Sequence, residues 1–232
     1  MNRPLLHEFA SWLAAHEWEL ALLQEVPPRW QRELALRTEA SSAIALTSRN
    51  FFARLRWALA ELNPDLIASN EGGSNQLLVQ TPGRILDVRR LTLAERPERR
   101  RMLWALVAAP DGQRLAVANL HATSDDRSAS AREVELAAER AVEWAGAHPL
   151  VFGGDFNLRP RERPDAFERL RQRFGLREPT GPNSLDHVLA RDLELVAPAR
   201  ALNPEEHEVP GPDGLRIRLS DHAPVVASLG MK

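Results

Sequence analysis

The chain has 232 residues, 44% of them hydrophobic, with a formal charge of −2. That length and apolar content suit one compact domain over residues 1–232 and exclude a disordered or fibrous chain. The near-neutral charge excludes a protein that holds nucleic acid mainly by a broad basic surface. Cysteine and tyrosine are absent and the one lysine is Lys232, so disulfides, thiolate metal sites and a P-loop lysine are excluded as well. The remaining nucleophiles are hydroxyls, carboxylates, imidazoles and activated water. No apolar run is long enough to span a bilayer and no secretory pattern opens the chain, so a cytoplasmic location is expected.

In chain order, Asn2 and Pro4 read as a cap and first turn, followed by Leu5, Leu6, Phe9, Trp12 and Leu13 at helical spacing. Leu20 to Gln24 reads as a strand covered on both faces, stopped by Pro27 and Pro28, with Glu25 at its end. Phe51 to Leu62 has the period of a second helix. Strands follow at Gln76–Gln80, Ile85–Leu93 and Arg101–Ala109, and the Pro110-Asp111-Gly112 turn leads into a hairpin partner from Arg114 to Leu120. Ser130 and Glu133 form a capping-box pattern for a helix to Gly146, with Val134, Ala138, Ala141, Val142 and Ala145 inward. Beyond the buried strand Leu150–Gly153 come a helix at Asp165–Phe174 and strands near Leu185–Ala190, Leu193–Pro198 and Ala223–Leu229. An irregular excursion occupies Asn203 to Gly214. Helices and strands interleave without strict alternation, which predicts two packed sheets with helices outside.

The polar groups that carry chemistry sit where apolar strands end. Glu25, His121, Asp155 and Asn157 follow three such strands, and Asp186 and the pair Asp221-His222 flank two more. Strand ends on one rim can fix side chains from distant positions in one arrangement. Hard carboxylate oxygens suit Mg²⁺, and imidazoles exchange protons near neutral pH when a carboxylate fixes them. Each short motif alone also fits a solvated turn. His7, His16, His148, His187 and His207 show no metal-ligand spacing and read as surface or partly buried side chains. The run from Arg96 to Arg101 reads as a solvated face, and Trp57 and Trp104 as core.

Leu23-Gln24-Glu25, Asn119-Leu120-His121, Gly154-Asp155-Phe156-Asn157, Leu185-Asp186-His187 and Ser220-Asp221-His222 together resemble the ordered motifs of the endonuclease/exonuclease/phosphatase family. The resemblance implies a deoxyribonuclease I-like α/β (α+β) fold: a four-layer sandwich of two packed mixed β-sheets flanked by helices. It further implies a Mg²⁺-dependent phosphoester hydrolase, with Mn²⁺ as a substitute, acting on nucleic acid, a phospholipid headgroup or a small phosphoester. No stable protein partner is indicated. Position by position, it implies Glu25 and Asp221 as metal ligands, and Asp155 as the residue that orients or deprotonates water. Asn157 would hold the phosphate, Asp186 would pair with His222, and His121 would contact the phosphate or the leaving oxygen. Asn75 and Asn119 are implied as substrate-binding, and Glu98 as a partner of His121. The histidine at 121 resembles the pancreatic deoxyribonuclease, sphingomyelinase and inositol-phosphatase branches.

In one respect the pattern departs from the resemblance. Family members open with a strand bearing a Thr-Trp-Asn type motif, and this chain starts at the next helix, so we expect the reading frame to continue upstream of Met1. The alternative function is a catalytically weak binding or scaffold protein that retains the fold.

Overall fold

The computed structural model describes residues 5–47, 73–177, 180–211 and 214–231. The helix read over Phe51–Leu62 and the caps Asn2 and Pro4 lie outside the described residues. Helix α1 (Leu6–Ala14) leads to strand β1 (Leu20–Leu23), a 3₁₀ turn at Pro28–Trp30, helix α2 (Gln31–Arg37) and strand β2 (Ala40–Leu46). Then come β3 (Ser74–Gln80), β4 (Arg84–Ala94), β5 (Arg100–Ala108) and β6 (Arg114–His121). Helix α3 (Arg127–Ala145) precedes β7 (Leu150–Asp155), and α4 (Pro164–Phe174) precedes β8 (Asp186–Arg191) and β9 (Leu193–Ala201). The short strands β10 (Glu208–Pro210) and β11 (Arg216–Arg218) pair with each other, and β12 (Val225–Met231) ends the described chain.

Four layers result. The larger sheet has the order β4-β5-β6-β7-β8, and the smaller has the order β1-β3-β2, with β12 paired to β9 as a separate ribbon. Strand β5 shows why the larger sheet is covered twice. Met102 and Trp104 face α3 and α4 together with Phe152, Phe156 and Leu170, whereas Leu103, Ala105 and Val107 face Leu77 and Val79 of the smaller sheet. An apolar residue at every position of a strand therefore feeds two cores, each fully buried large side chain contributing about 1.5–3 kcal/mol. A third cluster, built on Leu13, Leu34 and Leu78, places α1 and α2 over the outer face of the smaller sheet.

Local chemistry sets the turns and caps. The predicted hairpin forms with Leu103 opposite Asn119, its turn closed by Ala109 N–H on Gln113 O (2.8 Å) with Gly112 at φ +84°. Helix α3 starts earlier than the Ser130 pattern predicts. Asp126 caps it by accepting from the Ser128 and Ala129 amides, while Ser130 donates to Phe156 O and Glu133 accepts from Thr123. A capping-box spacing has been used for tertiary ties, because both side chains are buried and the loop after β6 needs partners. Helix α2 and strand β2 are absent from the expected elements, since α2 has only seven residues and β2 is rich in Ala and Ser. Expected to be covered on both faces, β1 is instead half-exposed along its length, because among the described residues only β3 pairs with it.

Parallel pairing of β6 with β7 carries both strand ends to one rim, His121 opposite Asp155. Gly154 makes this approach possible. Its φ is +123°, and a Cβ there would lie 2.1 Å from Leu120 O. Gly154→Ala is therefore expected to cost about 3 kcal/mol or more, whereas Gly112→Ala, whose Cβ meets nothing within 4 Å, costs about 1 kcal/mol. Urea unfolding of the two variants checks the contrast, and equal losses would refute it.

Candidate active site

The rim is assembled from both sheets, and buried amides join them. Asn119 is fully buried on β6 and donates to Leu23 O (3.0 Å) and Gln76 O (2.9 Å), while accepting from Gln24 Nε2 (2.7 Å). These bonds to β1, β3 and Gln24 hold the strand end from which Glu25 projects. Asn75 is likewise fully buried and donates to Arg101 O at 2.7 Å, with its Oδ1 unpartnered.

Glu25 and Asn157 both sit in the left-handed region, at φ 57° and 51°. Such backbone is strained for a side-chain-bearing residue, and surrounding bonds must hold it. Val26 and Ser74 exchange backbone hydrogen bonds just after Glu25, and Arg127 binds Asn157 O at 2.8 Å. The Asn157 amide N–H closes on Asp155 Oδ1 (2.9 Å), and its side chain donates to Ala122 O and Asp155 Oδ2. Asn157 is thereby locked against the carboxylate that it follows.

Around Asp155 stand two imidazoles in opposite states. His121 lies 3.5 Å from Asp155 Oδ2 through Nε2 and 3.8 Å from Glu25 Oε1 through Nδ1. Burial, helped by the charges of Arg100 and His222, pushes its pKa down to about 3, so His121 is neutral at physiological pH. His222 sets its Nδ1 2.8 Å from Asp186 Oδ2 and 3.9 Å from Asp155 Oδ2. The hydrogen bond to Asp186 raises its pKa to about 9, which makes it a cation. Asp155 itself is raised to about 6, first by burial and then by the neighbouring Asp186 charge, with a smaller contribution from Glu25. Donor atoms of Asp155, Asp186 and His222 lie within 4.8 Å of one another, the group among the described residues suited to a metal ion. Asp221 is exposed beside it.

Several site features were not visible in the sequence. Glu98 is exposed and pairs with Arg100 at 3.0 Å, and the carboxylates beside His121 are Glu25 and Asp155. Arg100, expected on a solvated face, is buried and electrostatically coupled to His121. His187 and His207, expected to be surface or partly buried, are almost fully buried: His187 packs on Phe156 and Phe167 with Nε2 at Leu158 O, and His207 Nδ1 contacts Asn203 O. No spacing rule predicts these, because each depends on a fold-level neighbour.

Carboxylates and imidazoles gathered at strand ends between two packed sheets define an α/β sandwich with its polar site on one rim. The chain belongs to the Endonuclease/Exonuclease/phosphatase family, whose profile matches residues 2–222. Among solved structures it is similar to a Bacteroides thetaiotaomicron mannosyl-6-phosphatase (14% identity, 97% of this chain and 90% of that one, TM-score 0.69). It is also similar to the human Nocturnin catalytic domain (13% identity, 99% and 88%, TM-score 0.71) and to D. rerio TDP2 complexed with single-strand DNA product (15% identity, 97% and 91%, TM-score 0.65). These likenesses show the four-layer fold. No curated protein matches in sequence. Among the described residues no helix is long and apolar enough to cross a membrane.

In metal-free protein His222 is expected to titrate near pH 9, and Asp186→Asn to lower that value toward 6.5 by removing the charge that favours the imidazolium. Because the folded pKa is raised, this pair stabilises the fold fully below about pH 6.5 and the contribution fades as pH rises through about 9. An NMR titration of the His222 ring checks this, and an unchanged pKa in Asp186→Asn would contradict it.

Proposed function

We propose that the protein is a divalent-cation-dependent phosphoester hydrolase, with Mg²⁺ as the cation and Mn²⁺ as a substitute. The observation that carries this reading is the crowding of carboxylates at one rim: Asp155 is driven toward protonation first by burial and then by the charges of Asp186 and Glu25. Like charges so placed favour an added cation, and the donors are hard oxygens suited to Mg²⁺. The residue set therefore fits a metal, held by Glu25 and Asp221 with Asp155 and Asp186 at hand. When bound, such an ion supplies charge stabilisation to phosphoryl oxygens.

The chain's own groups divide the remaining work. Asp155, with a pKa near 6, is matched to accept a proton from water close to neutral pH as the water oxygen bonds to phosphorus and the ester P–O bond breaks. His222, held cationic by Asp186, donates to a phosphoryl oxygen and offsets the charge that builds there. His121 is a neutral hydrogen-bond donor to the phosphate or leaving oxygen; its low pKa argues against its carrying a mobile proton. Asn157, fixed by Asp155 and Ala122 O, lines the phosphate position. The substrate class is a nucleic acid, a phospholipid headgroup or a small phosphoester, since loops outside the shared site select the leaving group.

The test is hydrolysis of an aryl phosphodiester, single-stranded DNA, sphingomyelin, inositol phosphates and a mannose 6-phosphate ester, with and without chelator. Turnover should require Mg²⁺ or Mn²⁺, and Asp155→Ala and His222→Ala should each lose about 10²–10⁴-fold while remaining folded. Equal rates in wild type and variants would end the catalytic reading in favour of a binding protein.

A further inference from the structure

Ser130 and Glu133 carry the spacing of a capping box, yet Asp126 caps α3 and leaves both side chains for other work. Both are buried. Ser130 is spent on Phe156 O, whereas Glu133 gives both oxygens to one residue of the loop after β6, accepting from Thr123 N–H (2.8 Å) and from Thr123 Oγ1 (2.7 Å). Burying a carboxylate is costly even when its hydrogen bonds are made. α3 otherwise turns Ala131, Val134, Ala137 and Ala138 to the core, so an apolar side chain at 133 would serve packing at least as well. Neither the helix nor the core accounts for a carboxylate here.

The Thr123 N–H belongs to the same peptide group as Ala122 C=O. That peptide is trans, so the two bonds point in opposite directions within one rigid plane. On the far side of the plane Ala122 O accepts from Asn157 Nδ2 at 3.0 Å, and Nδ2 also donates to Asp155 Oδ2 at 3.2 Å. Ala122 N–H donates in turn to Asp155 O at 2.9 Å. A continuous path of hydrogen bonds thus runs from Glu133 through one peptide group to the Asn157 amide and the Asp155 carboxylate. Holding the N–H fixes the direction of the carbonyl, and an acceptor on the N–H polarises the peptide so that its oxygen accepts more strongly.

We propose that Glu133 is a positioning residue that sets the orientation of the Asn157 side chain through the Ala122-Thr123 peptide, its own oxygens being spent on Thr123. This rests on the phosphate-holding role proposed for Asn157. With Nδ2 held between two acceptors, a flipped amide would set Oδ1 against Ala122 O and Asp155 Oδ2, so one orientation is selected. Without Glu133 the peptide is free to tilt. Ala122 O then leaves Nδ2, and Asn157, strained at φ 51°, loses one of the bonds that over-determine it.

The test compares wild type with Glu133→Met, Glu133→Gln, Thr123→Val and, as a control that weakens α3 at an exposed position, Glu139→Gly. Met matches Glu in length and removes both acceptors, Gln keeps an acceptor for the Thr123 N–H, and Val removes the hydroxyl while leaving the N–H. Glu133→Met should keep or raise Tm and yet lower kcat about 10–100-fold, with KM changed less than about threefold. It should also speed hydrogen exchange at the Asn157 backbone amide about 10-fold. Glu133→Gln and Thr123→Val should stay within about threefold of wild type in both readouts, and Glu139→Gly should lower Tm without moving kcat. Glu133→Ala replaces the Met variant if the longer side chain prevents folding. Wild-type kcat and exchange in Glu133→Met, or a loss in Glu133→Gln or Thr123→Val equal to it, would overturn the proposal. Exchange at Asn157 is read without substrate, so a protein inactive on every phosphoester would sink the hydrolase reading while the role of Glu133 is still decided.

Discussion

The arrangement of the rim depends on one buried amide. Asn119 spends both donor hydrogens and its oxygen on β1, β3 and Gln24, and so sets the position of one sheet on the other. Without that tie and the bond from Asn75 on β3 to Arg101 O on β5, apolar packing would carry most of the contact between the layers, and such packing tolerates sliding because it is non-directional. A directional bond in a low-dielectric interior does not, since leaving the amide unpaired costs about 1–3 kcal/mol. Glu25 comes from one sheet and His121 and Asp155 from the other, and their few-ångström geometry follows from this registration.

From that fixed geometry the electrostatics follow in order. Burial lowers His121 and raises Asp155, and the single carboxylate of Asp186 holds His222 as a cation. Two imidazoles within reach of the same aspartate thus occupy different protonation states, one set by desolvation and the other by an ion pair. The strained backbones at Glu25 and Asn157 belong to the same scheme: each is tolerated because neighbouring hydrogen bonds over-determine it, and each places its side chain toward the rim.

Much of this was legible in the sequence because strand ends are marked by a change from apolar runs to Glu25, His121, Asp155 and Asp186. The doubly covered strands β5 and β7 were readable for the same reason, their apolar character being continuous. Other features depend on contacts that no local pattern encodes. Arg100 looks like its solvated neighbours until the fold buries it, and the Ser130–Glu133 spacing fits a cap until Asp126 takes that role. The bonds by which Asn119 ties β6 to β1 and β3 become visible only once the second sheet is in place. The apolar run of β1 predicted the strand itself, whereas its partial exposure depends on the pairing of the whole sheet, in which β3 is its neighbour among the described residues.

The parallel pair β6 and β7, with α3 as its crossover, has a further consequence for how the molecule assembles. Arg114 to Asp155 is one continuous stretch that carries Asn119, His121 and Asp155 and packs α3 directly on its own strands. Its contacts are comparatively local, so closing them costs less chain entropy than bringing in β1 from the opposite end of the sequence or β12 from the far terminus. Half of the rim is thus built into one short-range unit, and the other half arrives through long-range docking. The order of folding is written into the same topology that places the chemistry.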